Sequence, residues 1–173
     1  MELKKVSVIV PCYNSAKFLE QSLNCLFAQY YTNIEIICVN DGSTDETTEI
    51  LVRIASERDN LKIVTLEKNR GLFNARIAGA EVASGDYIAF MDSDDLVTKN
   101  WIYTLIKKAE LTGADLVFGD MRKKGNVPGA TVNPEIPCYY NLDPLRNSQL
   151  DTDGEGILRL FMQTHGLFSH YHY

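Results

Sequence analysis

Five short apolar runs, each about one strand long, alternate with stretches of helical period through roughly the first 120 residues of this chain. The runs are Val6 to Pro11, Ile34 to Val39, Leu61 to Leu66, Asp86 to Met91 and Asp115 to Phe118. Pro11 is expected to stop the first of them. β-Branched residues crowd the earlier runs, as in strands buried on both faces. Between the first two, Leu19, Leu23, Leu26 and Phe27 share one helical face, which predicts a helix from Asn14 or Ser15 to about Gln29. Ser43-x-x-Glu46 has the form of a capping box and predicts a second helix to about Arg58. Leu72 to Ser84 is Ala-rich and helical, with Gly85 at the expected left-handed C-cap; Lys99 to Leu111 is a fourth helix, ended by Gly113. Such alternation with short connections specifies an α/β fold: a Rossmann-like, mostly parallel sheet with helices on both faces. Ligands of such sheets sit at the carboxyl ends of the strands. The polar segments Cys12 to Asn14, Asn40 to Gly42, Lys68 to Gly71 and Asp92 to Asp95 are therefore expected to converge.

The pattern changes after about Met121. Pro128, Pro134, Pro137 and Pro144 fall close together with Gly125 and Gly129, which reads as a long loop. Thr152-x-x-Glu155 then opens one more helical stretch. The expected division is an α/β ligand-binding domain over 1–120 and the start of a second region over 121–173. Seventeen basic against twenty-three acidic residues give a net charge of −6, which argues against a nucleic-acid partner. No apolar run approaches the roughly 20 residues that span a bilayer. The four cysteines lack C-x-x-C spacing, and the amino terminus lacks the apolar stretch of a signal peptide. These features point to a reducing, cytoplasmic setting without a disulfide framework.

Asp92-Ser93-Asp94-Asp95 is the sharpest feature. Three carboxylates within four residues repel one another unless a cation or a helix N-terminus compensates. Mg²⁺ or Mn²⁺, held by one or two carboxylates plus substrate phosphates, would do so; a solvated loop capping the next helix is the plainer account. Asp41, just after the second apolar run, suits an acceptor for a base N–H or a ribose hydroxyl, although a tight turn with a helix cap explains Asn40-Asp41-Gly42-Ser43 unaided and is the better account of this segment taken alone. Arg76 lies near the start of an Ala-rich helix, where it could meet a phosphate or simply lie along the surface. Tyr13 could stack on a base or pack under a helix. His165, His170 and His172 have no standard zinc spacing and are read as structural.

Taken together, Val6-Ser7-Val8-Ile9-Val10-Pro11-Cys12-Tyr13-Asn14, Val39-Asn40-Asp41-Gly42-Ser43-Thr44-Asp45, Asn69-Arg70-Gly71 with Ala75-Arg76, and Phe90-Met91-Asp92-Ser93-Asp94-Asp95 resemble family 2 glycosyltransferases of the A-type fold. The order and spacing of these motifs carry the resemblance, over about residues 5 to 120. It implies metal-assisted, inverting transfer of a sugar from a nucleotide donor, typically UDP-linked, to an acceptor hydroxyl in polysaccharide or glycoconjugate synthesis. It places Pro11, Tyr13, Asn14 and Asp41 at the nucleotide, with Arg76 near it. Asp92, Ser93 and Asp94 form an Asp-x-Asp motif, with Asp94 and Asp92 toward Mg²⁺ or Mn²⁺. The acceptor would be a saccharide or a lipid-linked group, with peripheral association at the inner membrane face left open. The resemblance supplies no general base: Asp143, Asp151, Asp153 and Glu155 lie in no recognisable motif. The chain looks like the front part of a longer enzyme, expected to bind donor but to transfer sugar negligibly alone. Two other readings stand beside this one. The first is a nucleotide-sugar binding module without turnover. The second is a nucleotidyltransferase on a related sheet, which would ordinarily show a Gly-rich loop after the first strand.

Overall fold

The computed structural model describes residues 3–118 and 171–172. The elements run β1 (Val6–Cys12), α1 (Ala16–Phe27), β2 (Ile34–Asp41), α2 (Thr47–Ala55), β3 (Leu61–Leu66), α3 (Leu72–Glu81), β4 (Tyr87–Phe90), α4 (Trp101–Thr112), β5 (Val117–Phe118) and β6 (Tyr171–His172). They build one sheet of order β3-β2-β1-β4-β6-β5. β1 pairs in parallel with β2, from Val6↔Ile34 to Cys12↔Asn40, and with β4 from Val6↔Tyr87 to Ile9↔Phe90. β3 extends the parallel sheet beyond β2.

The alternation of side chains along β1 divides the core. Val6, Val8, Val10 and Cys12 face one layer, where they pack with Leu19 and Leu23 of α1, Leu51 of α2 and Ile102 and Leu105 of α4. Ile9 faces the other, with Ile37 and Val39 of β2, Phe90 of β4 and Ala75 of α3. Both faces of the sheet are thus covered, which is why the central strands are apolar along most of their length, with the buried Ser7 and Glu35 hydrogen-bonded to each other. α3 lies very close to the sheet: a Cβ on Gly79 would stand 2.4 Å from Ile9 Cγ2. No helix among the described residues is long and apolar enough to cross a membrane.

At four points the structure differs from the sequence reading. Pro11 does not stop β1, which continues through Cys12 paired with β2. The reason is that β4 pairs only as far as Ile9↔Phe90. Met91 N bonds Ile9 O, so the missing N–H of Pro11, two residues on, falls on the flank where β4 has ended. Second, Ser43 and Glu46 form no capping box. α2 begins at Thr47, whose N–H bonds Asp45 Oδ1 at 3.1 Å, while Ser43 Oγ accepts from Asn14 N. Third, Gly85 is not a left-handed cap. α3 ends at Glu81 with Val82 as its C-cap, and Gly85 is small because its backbone crosses β1, where a Cβ would stand 2.7 Å from Ser7 N. Gly113, with φ 62°, is the left-handed cap expected of it. Fourth, the tail carries a strand: β6 lies antiparallel between β4 and β5, pairing Ala89↔His172 and Val117↔His172. The Pro-rich stretch and the Thr152-x-x-Glu155 helix lie outside the described residues.

Candidate functional site

A cleft of about 280 Å³ opens at the carboxyl ends of β2, β1 and β4, lined by Pro11, Cys12, Tyr13, Asp41, Asn69, Gly71, Leu72, Ala75, Asp92, Ser93 and Asp94. The segments expected to converge do meet here, because parallel strands end together on one side of the sheet. Across the cleft the order follows the sheet. Asp41 and the Asn69–Gly71 loop lie on the β2 side, Pro11 to Tyr13 in the middle, and Asp92 to Asp94 on the β4 side.

Asp41 is the last residue of β2 and only 2% exposed. Its Oδ1 accepts from Arg70 N at 2.8 Å and its Oδ2 from Gly71 N at 2.9 Å. The carboxylate therefore fixes the β3–α3 loop and the start of α3. Each oxygen keeps a lone pair for a further donor. Gly42 follows with φ 66°, and a Cβ there would stand 2.6 Å from Asn69 N and Lys68 C. Two loops distant in sequence thus press backbone to backbone, and only glycine permits both the conformation and the approach.

Tyr13 is half-exposed rather than packed under a helix. Two of the expected site residues, Asn14 and Arg76, do not line the cleft; Asn14 braces the loop beside it. It adopts φ 48°, its N–H bonds Ser43 Oγ, and its Oδ1 accepts from Thr44 N at 2.8 Å. Asn tolerates this left-handed conformation better than most residues. It ties the β1–α1 loop, which carries Tyr13, to the β2–α2 loop.

Arg76 is no surface arginine. It is 1% exposed and heads the fully buried side chains by volume. Its Nη2 donates to Asp92 Oδ1 at 2.9 Å, and its guanidinium carbon lies 5.7 Å from the centre of the Phe90 ring. Its Nε has no hydrogen-bond partner among the described residues. The protein thus supplies a cation of its own against the Asp92–Asp95 repulsion. Asp92 Oδ2 has no protein partner among the described residues, and Asp94 is exposed at the cleft. Among the described residues no three His, Cys, Asp or Glu side chains gather in a metal-sized group. On the β4 side of the cleft two carboxylates remain, Asp92 and Asp94. That donor set is too small for a protein-only cage and fits Mg²⁺ or Mn²⁺ that completes its shell with phosphate and water.

Ser15 and Cys38 were not singled out as site residues by sequence. Ser15 Oγ meets Ser93 Oγ at 2.7 Å, and both side chains are buried. Only a role as helix cap was legible for Ser15, yet its side chain makes no cap bond to α1. Cys38, beneath the cleft, has its thiol pushed well above its ordinary value by a hydrogen bond with Cys12 and by burial, so it is an inert part of the core.

Comparison with known proteins adds to this geometry. The family model for glycosyl transferase family 2 matches residues 7–165. The glycosyltransferase GlyG of Streptococcus pneumoniae is 39% identical over 115 residues, which are 66% of this chain and 38% of GlyG. GlyA from the same organism is 41% identical over 67% of this chain and 16% of its own. The chain therefore spans well under half the length of these relatives. Among solved structures, S. aureus TarS 1-349 in complex with UDP-GlcNAc superposes with a TM-score of 0.65 at 33% identity, covering 72% of this chain and 37% of that one. The mannosyltransferase PcManGT of Pyrobaculum calidifontis, in complex with GDP-Man and Mn²⁺, gives a TM-score of 0.59 at 27% identity over 62% of this chain and 33% of its own.

Proposed function

The chain belongs to glycosyltransferase family 2, and we propose that it is the donor-binding part of an enzyme that moves a sugar from a nucleotide-activated donor, UDP-linked in the first instance, to an acceptor hydroxyl with inversion. The observation that carries this reading is the cleft itself. A buried acceptor carboxylate faces it on one side, a half-exposed tyrosine stands in the middle, and Asp92 and Asp94 lie on the other side. That layout offers one region to a base and ribose and another to a diphosphate. The UDP-GlcNAc of TarS and the GDP-Man with Mn²⁺ of the mannosyltransferase support a nucleotide-sugar and a divalent ion as ligands.

In this reading Tyr13 offers its ring to the base, and Asp41 accepts from base or ribose while it holds the loop at Arg70 and Gly71. Asp94 and the second oxygen of Asp92 would hold Mg²⁺ or Mn²⁺. Bound there, the ion neutralises charge that develops on the diphosphate leaving group. Arg76 keeps Asp92 oriented toward the cleft through its 2.9 Å bond. A saccharide or lipid-linked acceptor needs its hydroxyl proton removed by a positioned base; Asp143, Asp151, Asp153 and Glu155, the sequence candidates, lie outside the described residues. Synthesis of a polysaccharide or glycoconjugate at the cytoplasmic face of a membrane is the setting proposed with it.

The test is calorimetric titration with a panel of nucleoside diphosphates, with Mn²⁺ and then with EDTA. Binding of UDP that requires the ion is expected. A chain that binds no nucleoside diphosphate under either condition would overturn the proposal.

A further inference from the structure

We infer that Ser15 and Ser93 are positioning residues that hold the base-side and diphosphate-side loops of the cleft at a fixed separation; the inference rests on the donor-site reading above. Ser15 Oγ accepts from Tyr13 N at 3.2 Å and meets Ser93 Oγ at 2.7 Å. One hydroxyl pair thus links the backbone of Tyr13 to the residue between Asp92 and Asp94. Ser15 is itself fixed from the other side, since its N–H donates to Thr47 Oγ1 at 2.8 Å and the next N–H, of Ala16, to Asp45 Oδ2. Both serines are nearly closed to solvent, at 6% and 9% exposure. A bond shielded from water keeps its geometry better than one at the surface.

The consequence is selective. A ligand that touches only one loop does not sense the distance between the two. A nucleoside diphosphate that spans both benefits from a separation set in advance, since less freedom is lost on binding. The Ser15–Ser93 pair therefore contributes to the affinity of the whole ligand and not to that of its halves.

The experiment measures affinities of the chain for UDP with Mn²⁺, for UMP, and for pyrophosphate with Mn²⁺. Each is measured in wild type, Ser93→Ala, Ser15→Ala, the double variant and Ser93→Thr. Each single alanine variant is expected to weaken UDP binding by roughly fivefold to tenfold, the worth of one hydrogen bond. UMP and pyrophosphate affinities should not move. The double variant should lose no more than either single one, because the two hydroxyls act as a pair. Ser93→Thr, which keeps the hydroxyl, should bind UDP like wild type. Unchanged UDP affinity in both alanine variants would overturn the inference. So would equal losses for UDP and for its halves, which would mean local damage, or additive losses in the double variant. A wild-type chain without affinity for UDP would overturn the donor-site reading beneath it.

Discussion

The two ends of β2 each carry a buried carboxylate, and they are built differently. Near the amino end, Glu35 is 4% exposed and saturated. Its Oε1 accepts from Ser7 Oγ at 2.6 Å, Ser84 N at 2.7 Å and Ser84 Oγ at 2.8 Å; its Oε2 accepts from Lys62 at 2.8 Å and Lys5 at 3.2 Å. At the carboxyl end, valences stay open. Among the described residues Arg76 Nε is unpartnered, Asp92 gives Arg76 one oxygen, Asp94 is exposed, and the Asp41 side chain accepts only from Arg70 N and Gly71 N. A polar network that only joins elements can close on itself, since each unmet buried group costs stability. A network that awaits a ligand cannot. The contrast between saturation and openness, from one end of the sheet to the other, is what separates scaffold from site here.

The largest effect expected from breaking this contrast is at Arg76. Arg76→Ala would leave Asp92 without its partner and empty a volume in the core, for a loss of about 3–5 kcal/mol in urea unfolding. Arg76→Leu fills the volume and removes the unpartnered Nε, so it should cost clearly less stability. Nucleotide binding should fall in both. If Arg76→Leu bound nucleotide like wild type, Arg76 would belong to the scaffold alone.

Glu35→Ala comes next. It strands the buried hydroxyl of Ser7 and removes the acceptor of Ser84 N, and should cost about 1–3 kcal/mol, with nucleotide affinity per folded molecule unchanged. Burial works to raise the Glu35 carboxyl, but hydrogen bonds from Lys62, Ser7 and Ser84 outweigh it and hold the group well below the usual carboxylate range. A depressed carboxylate contributes stability that is fully present above its unfolded value near 4.5 and is lost as pH falls below that. Urea midpoints followed from pH 7 downward should therefore fall more steeply in wild type than in Glu35→Gln. Parallel curves would show that Glu35 is not the hub its geometry makes it.

These residues also mark where the sequence was legible. The doubly wound core followed from apolar runs and helical spacing, because such periods are set by burial and survive in any order of neighbours. The convergence of Tyr13, Asp41, Asp92 and Asp94 followed from where parallel strands end. Pairings across the sheet did not follow. Nothing near Glu35 in the chain announces Ser7 or Ser84, and nothing near Arg76 shows that its partner is Asp92. The serines at 15 and 93 look like ordinary cap and loop residues until the fold brings them together. Gly85 and the Ser43–Glu46 pair misled for the same reason: local signals matched a cap, while a long-range contact had set the residue. β6 was missed because two residues are too short to carry a period.

The most direct test of the central claim is the affinity of Asp94→Asn for UDP in Mn²⁺, set beside wild type in Mn²⁺ and in EDTA, with Glu35→Gln as the scaffold control. The account predicts that Asp94→Asn loses at least about tenfold, or 1.4 kcal/mol, that EDTA lowers wild-type affinity at least as far, and that Glu35→Gln binds as wild type does. Full affinity in Asp94→Asn, or full wild-type binding in EDTA, would contradict it.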